Sequence, residues 1–192
     1  VGQLLERVGI SSRRSVDCPH PYSGGMRQRA MIALALACDP DVIVADEPTT
    51  ALDVMIQAQI LDLLGGIARD FGMGIILVTH DLGVVAQVCD RIVVMYGGGV
   101  AEENDAASLF RSPRHPYTQQ LLQSFPDVAH PDRALRGIPG SPPRLDAMPA
   151  GCRFAPRCPH AFDRCRVERP PDYGTDGGRA ACFLLDPAES RP

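Results

Sequence analysis

Lysine is missing from this chain. All 19 basic side chains other than histidine are arginine. A phosphate loop of the form G-x-x-x-x-G-K-[ST] uses its lysine to reach the β- and γ-phosphates of a nucleotide. No window of the 192 residues supplies one, so the chain cannot hold a nucleotide in such a loop of its own. Tryptophan is also absent and aromatics are scarce. No apolar run approaches the length that crosses a bilayer, and no secretory signal opens the chain. The first residue is Val1 rather than methionine, which leads to the expectation of an interior start. The formal charge is −4 with acids and bases interspersed. That argues against a nucleic-acid-binding face. Internal repeats are absent too. What remains is an ordinary apolar fraction, enough for one sizeable core and an appendage.

Hydrophobic spacing sorts the first two thirds of the chain into helices and strands. Leu4, Leu5, Val8 and Ile10 suggest the end of an amphipathic helix, followed by a loop over residues 11–21. Ser23 is a good N-cap, and residues 26–38 read as a mostly apolar, buried helix. Residues 42–45 and 75–78 are all-apolar runs, as expected of buried parallel strands. Between them, residues 54–70 carry helical periodicity through Ile56, Ile60, Leu63, Leu64 and Ile67. A further helix over 81–88, a hairpin over 91–102 turning at Gly97-Gly98-Gly99, and short helices over 105–110 and 117–124 follow. Alternating strands and helices predict an α/β layer with a mainly parallel sheet flanked by helices. Beyond Phe125 proline, glycine, arginine and cysteine dominate. A boundary is expected there, giving a first domain over 1–125 and a loop-rich extension over 126–192.

Several residues of the first domain suit phosphate chemistry. Ser23-Gly24-Gly25 opens a helix, whose free N–H groups and positive dipole end favour an anion. Asp46 and Glu47 close a buried strand. The first is placed to hold Mg²⁺, and the second to orient or deprotonate an attacking water. His80 ends the next strand, within reach of a terminal phosphate. Asp53 lies in the loop after the two carboxylates. Each has an ordinary reading when taken alone: a capped helix, a surface acid pair, a structural histidine, a helix cap. Arg27 and Arg29 are at least as well explained as a solvated helix face, and Gly97-Gly98-Gly99 as a hairpin turn.

Taken together, these residues resemble the ATP-binding subunits of ABC transporters. Tyr22-Ser23-Gly24-Gly25-Met26 is similar to the signature loop L-S-G-G-Q, with Tyr22 and Met26 in place of leucine and glutamine. Asp46 and Glu47 resemble the Walker B aspartate and catalytic glutamate, Ala51-Leu52-Asp53 the D-loop, and His80 the switch histidine. The resemblance implies a P-loop NTPase fold of ABC type that lacks its Walker A and Q-loop segments. It also implies ATP and Mg²⁺ as cofactors. Two such subunits pack head to tail, and Ser23, Gly24, Gly25 and Met26 then close over ATP held by the partner. Without a Walker A loop, residues 1–192 alone are expected to be inactive as an ATPase.

The extension holds Cys152, Cys158, Cys165 and Cys182 in a C-x5-C-x6-C-x16-C spacing. Cys18, Cys38 and Cys89 are scattered and read as small buried hydrophobes. With few large apolar residues, the tail needs a staple. The spacing is looser than the usual zinc pairs and leaves Zn²⁺, an iron–sulfur cluster and free thiols all open. His160 reads as a packing or solvent-facing residue. Ile138-Pro139-Gly140-Ser141-Pro142-Pro143, Gly151-Cys152-Arg153-Phe154-Ala155-Pro156-Arg157-Cys158-Pro159 and His115-Pro116-Tyr117-Thr118 are similar to the C-terminal part of oligopeptide and dipeptide ABC importers. That resemblance implies a [4Fe–4S] cluster on the four cysteines. It also implies a peripheral subunit on the cytoplasmic face of the membrane, working with a second ATPase subunit, two permeases and a solute-binding protein, and with no nucleic acid. The alternatives are a non-transport ABC ATPase and a truncated regulatory module with a metal-binding tail.

Overall fold

The computed structural model describes residues 1–18, 20–125 and 137–189. They fall into two units, Val1–Asp81 and Leu82–Pro192.

The first unit runs α1 (Gly2–Arg7), α2 (Gly24–Ala35), β1 (Val42–Asp46), α3 (Val54–Phe71) and β2 (Gly74–Val78). Side chains set the helix starts. Ser23 accepts the Met26 N–H at the head of α2, and Asp53 accepts the Ile56 N–H at the head of α3. Each satisfies one of the donors that a helix start leaves free. Gly72, at φ 62°, ends α3 in the left-handed conformation that glycine adopts without strain. The stripe Ile60, Leu64 and Ile67 of α3 is buried against Ile32, Leu36, Ile43, Val8 and Ile10. β1 and β2 pair in parallel from Val42↔Gly74 to Asp46↔Val78.

Burial departs from expectation here. Ile43 is buried, yet Val42 is 51% exposed and Val44 64%, and Ile76 and Val78 are also open. On α2, Ile32 and Ala33 are buried while Met31 and Leu34 face outward. A parallel sheet is apolar on both faces because both are normally covered. Within this unit the described residues cover only one face of each element. Residues 12–16, expected as loop, form a 3-10 turn.

The second unit contains α4 (Leu82–Val88), β3 (Arg91–Tyr96), β4 (Gly99–Asp105), α5 (Ala106–Arg111), α6 (Pro116–Gln123), α7 (Asp163–Val167), β5 (Tyr173–Thr175) and β6 (Gly178–Ala180). Its sheet is antiparallel in the order β3-β4-β6-β5. Among the described residues, four strands are therefore antiparallel and two parallel, which corrects the expectation of a mainly parallel sheet. The expected division after residue 125 opens on residues 126–136, which lie outside the described residues. Beyond them β6 pairs with β4, Glu102↔Ala180 and Glu103↔Arg179. Arg91 and Arg179 both hold the Glu103 carboxylate at 2.9 Å.

Aromatic packing adds to this anchorage. Phe154 is 1% exposed and stands edge-on to Tyr96 at 5.2 Å, with Tyr117 at 5.3 Å. Truncating such a buried ring costs about 3–5 kcal/mol. Glu102, fully buried, accepts the Arg114 and His115 N–H groups at 2.8 and 2.9 Å. That fixes the loop entering α6. Burying a charge is costly unless it is hydrogen-bonded, and here both carboxylate oxygens are occupied.

Candidate functional site

The C-terminal edge of β1 and β2 carries the most reactive arrangement in the first unit. The Glu47 N–H donates to the Val78 carbonyl at 2.8 Å, so the ladder continues one residue past β1. Glu47 then takes φ 46°, unusual for a residue with a side chain. Its carboxylate meets the His80 Nδ1–H at 2.7 Å through Oε1. Oε2 accepts the Thr50 hydroxyl at 2.8 Å. His80 is 83% exposed and Glu47 38%. The hydrogen bond from His80, then that from Thr50, holds the Glu47 carboxyl below its ordinary range. Conversely, Glu47 pushes the His80 ring above 6.5. Asp46 sits beside them at the strand end, exposed, with no hydrogen bond or ion pair among the described residues.

The head of α2 and the loop before α3 form a second, adjoining group. Ser23 and Gly24 are exposed. The Ser23 oxygen accepts the Met26 N–H at 3.3 Å, which leaves its own proton free to donate. Gly25 has a packing reason beyond phosphate access: a Cβ there would stand 2.7 Å from Ile56 Cγ2 in α3. A Cβ at 24 would stand 3.4 Å from Leu52 Cδ2, in ordinary contact. The signature-like turn is thus seated on the segment that carries Asp53, and Asp53 itself serves as the α3 cap.

The flanking arginines are braces. Arg27 donates to the Tyr22 carbonyl at 3.0 Å, and Arg29 to the Val8 carbonyl at 2.9 Å and to Gln59. Tyr22 is buried, donates to the Arg14 carbonyl at 2.9 Å and lies under the Arg14 guanidinium. A tyrosine therefore fills the place where the related signature carries leucine.

Two stretches of the chain match known protein families. Residues 1–50 match the family described as ABC transporter, and residues 101–165 match the oligopeptide/dipeptide transporter C-terminal region. The chain is 49% identical over 187 residues to the oligopeptide transport ATP-binding protein AppD of Bacillus subtilis, covering 96% of this chain and 57% of that protein. It is 49% identical over 190 residues to the dipeptide transport ATP-binding protein DppD of Escherichia coli, covering 96% and 58%. This chain belongs to the ABC transporter ATP-binding family, in its oligopeptide/dipeptide branch. A solved structure of CbiO1 from Clostridium perfringens, part of the ABC transporter complex CbiONQ, shares 34% identity at a TM-score of 0.53. That likeness covers 57% of this chain and 43% of the other, and over that part the fold is the ABC ATPase-like α/β fold. The chain spans a little over half the length of AppD and DppD.

In the extension of this ABC-family chain, the four expected cysteines line one cavity of about 20 Å³ together with His160, Phe154 and Phe183. None is in a disulfide. Burial raises the Cys152 and Cys158 thiols, and it pushes Cys182 up to about 11. Among the described residues, no three histidine, cysteine or acidic side chains are placed to hold a metal ion. The cysteines share a cavity without forming a finished metal cage. Of the scattered three, expected to be buried, Cys18 and Cys38 are exposed and Cys89 is half-buried.

Sequence reasoning missed Thr50, which holds the second oxygen of Glu47. Its offset of three residues from the carboxylate was the available signal. It also missed Arg14, whose partners are set by the 3-10 turn.

The Glu47–His80 contact has a pH signature. His80 is raised in the folded state, so its part of the pair is fully present below pH 6.5 and is lost as pH rises through the higher folded value. Glu47 is lowered, so its part is present above 4.5 and is lost as pH falls through the lower folded value. NMR titration of His80 is expected to give a midpoint above 6.5 that drops toward 6.5 in Glu47→Gln. An unchanged midpoint in the variant would remove the contact from the account.

Proposed function

We propose that this chain is the ATP-hydrolysing part of a subunit that energises import of di- or oligopeptides. The subunit lies on the cytoplasmic face of the membrane and pairs with a second ATPase subunit, two permeases and a solute-binding protein. The observation that carries the proposal is the contact of Glu47 with His80 at the shared end of two parallel strands. Glu47 is the general base. His80 and Thr50 fix the orientation of its carboxylate and keep it ionised, so that it can take a proton from water. The exposed His80 ring can also donate to a terminal phosphate. Asp46, exposed and unpaired, fits a Mg²⁺ ligand, and the ion when bound would neutralise phosphate charge. Ser23 and the N–H groups of Gly24 and Gly25, with Met26 next to them in the same turn, close over a nucleotide gripped by the partner's P-loop. Asp53 stiffens that junction as the cap of α3.

Since these 192 residues contain no lysine, their own nucleotide lacks a cradle. ATP hydrolysis by residues 1–192 is expected to match buffer. In the complete protein, Glu47→Gln is expected to lower kcat by about 100- to 10,000-fold, the usual worth of a general base. Turnover by the isolated chain that depends on Glu47, or a complete-protein variant with unchanged kcat, would overturn the assignment.

A second reading concerns the extension. We propose that Cys152, Cys158, Cys165 and Cys182 hold a [4Fe–4S] cluster in preference to Zn²⁺. Its support is the shared cavity, the absence of disulfides, and four sulfur donors of the kind such clusters use. The C-x5-C-x6-C-x16-C spacing is looser than the close cysteine pairs usual for Zn²⁺. The cluster's part is structural. Anaerobic purification is expected to yield iron and acid-labile sulfide in equal amounts, lost in Cys182→Ala. Zinc in their place, or no metal at all, would sink the assignment.

A further inference from the structure

One cavity of the second unit is lined by none of the residues assigned above to nucleotide chemistry. It is an open cleft of about 270 Å³ between the β3–β4 hairpin and the segments around Gly151 and Pro170. This is just below the range of about 300–1,000 Å³ usual for small-molecule sites, suited to a body of amino-acid size. Tyr96 and Phe154 give it an aromatic wall. Arg153 and Arg169 line it from the polar side. Asp172 also lines it, but its carboxylate is already engaged by Arg179 at 3.0 Å. The cleft thus carries two arginines and one carboxylate, the latter paired with Arg179.

Two features indicate that this polar side is built. Arg153 donates to the Gly97 carbonyl at 2.7 Å and lies across the hairpin turn. A Cβ at Gly99 would stand 2.6 Å from Arg153 Nη1. The glycine run that could be mistaken for a phosphate loop therefore makes room for this guanidinium. The second feature is His115, only 3% exposed, which lines both this cleft and the cavity of the four cysteines. Its Nδ1 accepts the Tyr117 N–H at 3.0 Å, which places the proton on Nε2. Nε2 has no partner among the described residues. Burial holds the ring down to about 4, so it is a neutral donor near neutral pH.

We propose that the cleft binds a small organic carboxylate with an apolar or aromatic body, the body resting on Tyr96 and Phe154 and the carboxylate held by Arg153, Arg169 and His115 Nε2–H. Arginine suits this task because its planar donors match a carboxylate edge. Arg169 makes no ion pair among the described residues and is exposed, so it is free to close on a ligand. Nothing in the proposal depends on nucleotide binding by the first unit.

The test is a ¹H–¹⁵N NMR titration of the 192-residue chain with 3-phenylpropionate, with 3-phenylpropanol and inorganic phosphate as separate arms. Saturable shifts at Gly99, Gly151 and Arg153 are expected with the carboxylate, and about tenfold weaker binding or none with the alcohol. Arg169→Gln, on the surface and harmless to folding, is expected to weaken the carboxylate about tenfold. Gly99→Ala is expected to do the same by displacing Arg153. No saturable shift up to about 10 mM carboxylate, a Kd near the weak limit of useful recognition, would overturn the proposal. So would equal binding of the alcohol, or binding of phosphate alone.

Discussion

The parallel register of β1 and β2 is the constraint on which the proposed nucleotide half-site rests. Because Asp46 pairs with Val78, both strands end at the same edge, and the residues that follow emerge side by side. One further ladder bond, from the Glu47 N–H to the Val78 carbonyl, carries the alignment past the strand. Glu47 then turns through a positive φ, and its carboxylate reaches His80 and Thr50 together. A slip of one residue would send alternate side chains to the opposite face and separate the carboxylate from the imidazole. The apolar runs 42–45 and 75–78 therefore position the chemistry as well as forming the sheet.

The same economy shows in the loop from Glu47 to Asp53. It starts at the proposed general base and ends at the cap of α3. Leu52, and Ile56 just beyond the cap, pack under Gly24 and Gly25. The turn proposed to face a nucleotide and the proposed general base are thus joined through one short segment. The small residue at 25 serves that packing, and glycines at both positions leave backbone N–H groups accessible. Arg27 and Arg29 brace the helix by binding carbonyls, Arg27 through Nε and Arg29 through Nη1.

Much of this was legible in the sequence. Ser23 and Asp53 announced their helices because a cap is a local signal, and the helices begin at the next residue. The stripe of α3 was readable because its period is helical. Placing His80 beside Glu47 required the parallel pairing, which follows from two apolar runs joined by a helix. What escaped was non-local or short. β5 and β6 are three residues each, too brief for periodicity, and they gain their partners from β4 far upstream. The buried carboxylate of Glu102 carries no sequence mark, since its partners are backbone N–H groups. Half-covered strands also read as fully buried ones, because composition records what a face is suited to meet and not what lies against it. The tail's expected need for a staple is met in part by Phe154, Phe183 and the Glu103–Arg179 pair.

The central claim is that Ser23 and its glycines complete a site whose nucleotide is gripped by a second subunit. Its most direct measurement is a structure of the complete protein, carrying Glu47→Gln to arrest hydrolysis, with ATP and Mg²⁺ bound. The account predicts two subunits head to tail, with Ser23 Oγ of each within hydrogen-bonding distance, about 3 Å, of the terminal phosphate held by the other. Ser23 turned away from the triphosphate, with each nucleotide enclosed by one subunit alone, would contradict it.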